Sequence, residues 1–192
     1  MATRSSSNPL LDPAHDYLTR LRQRSARCAA NRLDWRYPTG GWVVSNPSLT
    51  VAGGSVYVGS RDDKLYALDA NNGNSVWSFP TGASADSRPV VAGGTVYVGS
   101  NDDKVYALDT ANGNRRWATS IGDFAVSGPA VAGDTVYAGS GNGEVYALNV
   151  ANGDIQWHYK TGNSIFSSPV VAGNIVYVGS EDGKVYAFNV GS

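Results

Sequence analysis

Cysteine and histidine are almost missing from this sequence: 192 residues hold one Cys and two His. A lone thiol, Cys28, excludes an intrachain disulfide framework and a cysteine-cluster metal site. With only His15 and His158, and no serine in a nucleophile-elbow context, a hydrolytic or zinc-dependent mechanism lacks parts. Charge is sparse at 16% and sums to −1, which excludes a general polyanion binder held by bulk electrostatics. No apolar run approaches the ~18 residues of a membrane-spanning helix. The first 40 residues contain no apolar leader core, so the expectation is a cytoplasmic protein, exported if a leader has been trimmed away.

Glycine is what the chain has in excess, 23 residues, and most of it recurs with a period. Val-Tyr-Val-Gly-Ser stands at Val56–Ser60, Val96–Ser100 and Val176–Ser180, with Val-Tyr-Ala-Gly-Ser at Val136–Ser140, 40 residues apart each time. Each unit reads as four short strands. In the second unit these are Pro89–Gly93, Thr95–Ser100, Lys104–Asp109 and Arg115–Thr119, the last carrying Trp117. Asn101-Asp102-Asp103 and Asn112-Gly113 supply the turns. Four strands per ~40 residues is the pattern of a β-propeller blade, which buries its two faces only by stacking on neighbours.

The fourth unit stops at Ser192 without its Trp-bearing strand, while Asp34-Trp35-Arg36-Tyr37-Pro38-Thr39-Gly40 matches Val76-Trp77-Ser78-Phe79-Pro80-Thr81-Gly82. The N-terminal strand is therefore expected to close the last blade, making residues 32–192 an all-β propeller of four blades.

The pattern Val-Tyr-Val-Gly-Ser-x-Asp-x-Lys-Val-Tyr-Ala-Leu-Asp-x-x-Asn-Gly-x-x-x-Trp resembles the PQQ-like (quinoprotein) propeller repeat over residues 34–192. The resemblance implies fold and not function, because that family spans quinone-dependent dehydrogenases, an outer-membrane assembly lipoprotein, sensor domains and interaction scaffolds. Its propellers usually have seven or eight blades in one chain. Four blades either close alone or pair into an eight-bladed homodimer in which Trp35 of one chain completes the last blade of the other; blade shape favours the dimer. Its enzymes hold the quinone with a stacking Trp, calcium and often adjacent cysteines. Adjacent cysteines are absent here, so no cofactor and no metal are expected.

Residues 1–12 read as a disordered tail, and Asp12-Pro13 caps an amphipathic helix over 13–31 carrying Ala14, Tyr17, Leu18, Leu21 and Cys28. Residues 1–40 carry seven Arg against three Asp, and the rest of the chain is net acidic. Arg20, Arg24 and Arg27 on that helix are candidate partner contacts, weighed against a solvated face.

Positions that break the repeat are the functional candidates. They concentrate in the loops entering each blade: residues 41–46, 83–88, 123–128 and 163–168. These carry Trp42, Phe124, Ile165 and Phe166, and one charge pair, Asp86 and Arg88, beside the constant Ser45, Ser87, Ser127 and Ser167. Aromatics at a channel mouth point to a protein or small-molecule ligand; the alternative is that they tuck into the seams between blades. The reading is a non-enzymatic binding or scaffold module. The alternatives are a small-molecule enzyme with Asp86 as base and Arg88 as anion clamp, or a quinoprotein-like fragment without independent activity. No nucleic-acid groove is expected.

Overall fold

A computed structural model describes residues 33–44, 49–125 and 127–190. Alternation of β-branched and aromatic residues with glycine-rich turns gives fifteen strands in four antiparallel sheets. The first sheet holds β1 (Leu49–Ala52), β2 (Ser55–Ser60), β3 (Lys64–Asp69) and β4 (Ser75–Pro80). The second holds β5 (Val90–Ala92), β6 (Thr95–Gly99), β7 (Lys104–Asp109) and β8 (Arg115–Ser120). The third holds β9 (Ala130–Ala132), β10 (Thr135–Gly139), β11 (Glu144–Asn149) and β12 (Ile155–Lys160). Among the described residues the fourth holds β13 (Val170–Ala172), β14 (Ile175–Gly179) and β15 (Val185–Asn189). In every sheet the strands lie in chain order, as propeller blades require.

The blades form a row within the unit spanning Tyr37–Ser192. Inner strands β1, β5, β9 and β13 touch in that order, with no comparable contact from β13 back to β1. Each junction is an apolar layer. Tyr57, Leu65 and Ala67 of blade 1 pack on Val96, Val98, Tyr106 and Leu108 of blade 2, and the same positions repeat at the next two seams. Each outer-strand Trp completes the layer. It packs beside the tyrosine of its own blade, Tyr57–Trp77, Tyr97–Trp117 and Tyr137–Trp157, with ring centroids 5.7 to 6.0 Å apart. The indoles of Trp77 and Trp117 then donate to Thr110 O and Val150 O of the following blade, at 3.0 and 2.9 Å.

At the last blade this layer is open. Tyr177 and Val185 are 39% and 75% exposed, where Tyr97 and Val105 are buried. Among the described residues β15 pairs with β14 alone. Residues 33–39 are not a strand, so the expected closure by the Trp35 segment is absent within the described residues. The expected helix over 13–31, with Arg20, Arg24 and Arg27, and the tail over 1–12 lie outside the described residues.

Candidate functional site

The loops entering each blade are built on one plan. The carbonyls of Trp42, Ser84, Phe124 and Ser164 accept the amides of Arg61, Asn101, Gly141 and Glu181 at 2.9 to 3.0 Å. These four loop residues are therefore structural equivalents, and two of them are large aromatics. In three of the loops the next residue turns inward, whereas Val43 after Trp42 stays exposed. Ala85, Ala125 and Ile165 are 0%, 1% and 0% exposed, so Ile165 belongs to the seam and not to the surface group expected for it. These residues press on the repeated glycines: a Cβ on Gly59 or Gly99 would lie 2.1 or 1.9 Å from the carbonyl oxygen of Ala85 or Ala125. The constant serines bridge to the following blade, with Gly99 N donating to Ser87 Oγ at 2.6 Å and Gly139 N to Ser127 Oγ at 3.0 Å. Ser45 lies outside the described residues.

Three aromatic loop side chains stay exposed, Trp42 at 77%, Phe124 at 48% and Phe166 at 47%, with Val43 exposed beside Trp42. Arg61 lies over the Trp42 ring at 6.0 Å and pairs with Asp86 at 3.3 Å. Asn101 Nδ2 also donates to Asp86 Oδ2 at 3.4 Å. Asp86 is thus tied to Arg61, while Arg88 stands exposed beside Gly128. The structure brings together Trp42, Arg61, Asp86 and Asn101, and no ion pair joins Asp86 to Arg88 among the described residues. Arg61 was missed by sequence reasoning because it sits in a turn of blade 1 whose equivalents are Asn101, Gly141 and Glu181. That departure from the repeat was the available signal.

A second cluster lies beside these loops. Asp102 accepts from Tyr106 Oη at 2.5 Å and from Gly82 N at 3.1 Å, and pairs with Lys104 at 3.0 Å. Asp62 and Asp182 repeat it with Tyr66, Gly40, Lys64 and with Tyr186, Gly162, Lys184. Burial pushes Asp102 up, but hydrogen bonds from Tyr106, Lys104 and Ser100 outweigh it and hold the carboxyl below its ordinary value. Burial and then Asp102 push Tyr106 up to about 12. At neutral pH each such pair is a carboxylate held by a phenol, which knits an outer strand to the next blade. Blade 3 departs from this: Asn142 and Glu144 stand there, Tyr146 donates to Glu144, and His158 lies 3.7 Å from the same carboxylate. Among the described residues no three His, Cys, Asp or Glu are grouped to hold a metal ion.

A family model described as Outer membrane protein assembly factor BamB matches residues 123–192. The repeat of that segment runs in register through the two preceding sheets. The chain is built of PQQ-like propeller repeats. Over 56 residues it is 41% identical to the outer membrane protein assembly factor BamB of Escherichia coli, covering 27% of this chain and 14% of that protein. Over 43 residues it is 49% identical to the 1-butanol dehydrogenase (quinone) of Thauera butanivorans, covering 22% of this chain and 7% of that one. Among solved structures, BamB of Moraxella catarrhalis superposes with a TM-score of 0.65 at 24% identity, covering 72% of this chain and 47% of that one. The computationally designed Ika4 protein superposes with a TM-score of 0.67 at 17% identity, covering 80% of this chain and 96% of that one. The matched stretches are small fractions of the curated relatives, and the structural likenesses establish the fold alone. The repeat family includes quinone enzymes, but a chain with one cysteine lacks the adjacent pair such sites often use, and the loop-end carboxylate Asp86 is taken by Arg61.

Proposed function

We propose that this PQQ-like repeat chain is a non-enzymatic binding module whose loop end docks a protein partner over Trp42, Phe124 and Phe166. One observation carries the reading: three aromatic side chains remain exposed at 77%, 48% and 47% on loops whose fold requires none of them. At the equivalents of Trp42 and Phe124 the other blades manage with Ser84 and Ser164. Exposed aromatics of this kind are what binding hot spots are made of. Arg61 and Asp86 add a fixed polar rim beside the Trp42 ring. The name of the assembly-factor relatives supports a partner-binding role, though over a short match.

The test is a photo-crosslinking residue at position 166 to capture the partner, followed by titration calorimetry with that partner. Trp42→Ala and Phe166→Ala should each weaken binding about tenfold or more, ~1.4 kcal/mol, without moving the melting temperature. Unchanged affinity in both variants would remove the loop end as the site.

A further inference from the structure

The repeat lets one seam between blades serve as a control for another. At the end of the blades away from the loop site, a cavity of about 440 Å³ opens between blades 1 and 2, and one of about 490 Å³ between blades 3 and 4. They are the same cavity two repeats apart. Gly53, Ser55 and Tyr57 line the first, and their counterparts Gly133, Thr135 and Tyr137 line the second. The space is therefore a property of the seam.

What differs is the chemistry of the wall. Val76 in the first cavity gives way to Gln156 in the second, and Gly94 to Asn174. Asp134, which also lines the second cavity, stands where blade 1 has Gly54. Three departures from the repeat thus converge on one space, and each adds a polar side chain. The fold needs none of them, since glycine and valine serve at the equivalent places. Thr135 Oγ1 donates to Gln156 Oε1 at 3.0 Å, which steadies the carboxamide and leaves its NH2 group to donate. The backbone carbonyls of Asp134 and Asn174 accept the amides of Val150 and Val190 at 2.9 and 2.8 Å, which fixes both turns. Among the described residues no hydrogen bond or ion pair engages the Asp134 carboxylate or the Asn174 carboxamide. At the seam between blades 2 and 3 the counterpart of Gln156 is Arg116, which is already taken by Asp109 at 2.7 Å and Gly94 O at 3.3 Å.

We propose that the cavity between blades 3 and 4 binds a neutral sugar ring through Asp134, Gln156 and Asn174. The wall carries one carboxylate and no cationic side chain, which disfavours an anion. A single carboxylate is also far from the six to eight oxygens of a calcium cage. A wholly apolar ligand would bury the three polar groups without partners. A sugar meets all of them: adjacent hydroxyls donate to Asp134 and accept from the NH2 groups of Gln156 and Asn174, while Tyr137 lends an apolar wall to its C–H face. A volume of about 490 Å³ lies within the range of small-molecule sites. This site is independent of the loop end, and neither reading depends on the other.

Titration of the full chain, labelled with nitrogen-15, tests the site by NMR. The probes are glucose, galactose, mannose and N-acetylglucosamine, with calcium chloride as a separate arm. At least one sugar should move the amide signals of Gly133, Gly173 and Asn174 saturably, with a millimolar Kd. The variant combining Gln156→Val and Asn174→Gly gives this wall the residues of the first cavity, which the fold already accommodates. It should weaken binding about tenfold or more. Asp134→Gly, which restores the residue of blade 1, should do the same and carries the test if the combined variant loses its signal dispersion. The proposal is overturned if no sugar gives a saturable shift at concentrations far above a millimolar Kd. It is overturned equally if folded variants bind as the parent chain does, or if calcium alone moves these signals and sugars do not.

Discussion

The tyrosine–aspartate pairs are the points where a single side chain decides most. In blade 2, Tyr106 is 5% exposed and Asp102 accepts its hydroxyl while also holding Gly82 of the preceding loop. Tyr106→Phe strips a donor from a largely buried carboxylate and should cost about 1.5–3 kcal/mol, the range for hydrogen bonds to charged groups. The pH dependence follows from the shifts. The lowered Asp102 contributes stability that is complete above the pKa of an unfolded carboxyl and is lost as pH falls through its folded value. The raised Tyr106 contributes stability that is complete below the unfolded phenol near 10 and is lost as pH climbs toward about 12. Thermal unfolding followed by circular dichroism should show a plateau with a limb on each side. Tyr106→Phe should lower the plateau and make both limbs shallower. Wild-type limbs in the variant would show that this pair does not set the pH response.

At the scale of the strand and its loop, identical sequence meets different surroundings. Gly99 and Gly179 both stand in Val-Tyr-Val-Gly-Ser. A Cβ on Gly99 meets the Ala125 carbonyl at 1.9 Å, whereas on Gly179 its nearest neighbour is Ser167 Oγ at 3.4 Å. Gly99→Ala should therefore cost about 3 kcal/mol or more, as a steric clash against backbone, and Gly179→Ala less than about 1 kcal/mol. Urea unfolding of the two variants checks this; equal losses would mean that the loop yields. The contrast also shows what the sequence made legible. The strands expected at Thr95–Ser100, Lys104–Asp109 and Arg115–Thr119 agree with β6, β7 and β8 to within a residue at their ends, because turn chemistry and period-2 alternation are local. The repeated glycines are places of close backbone approach, while the irregularity in the ladders falls at Ala67/Leu68 and its equivalents. The loop site was only half legible. Trp42, Phe124 and Phe166 stand exposed, but Ile165 turns into the seam and Asp86 takes Arg61 as its partner. Those directions depend on the neighbouring blade, which no window of adjacent residues contains.

For the molecule as a row of blades, stability is a sum of blade terms and seam terms, so it should fade where a seam is missing. Blade 2 has a neighbour on each side and buries Val96, Val98, Val105 and Leu108 completely. Blade 4 has a single seam, built on Val176 and Val178, and its other face is open. Hydrogen exchange should therefore be roughly tenfold or more faster in β14 and β15 than in β6 and β7, because a blade with one seam opens without the rest. Uniform protection along the row would mean that the blades unfold together and that the open face costs the last one nothing.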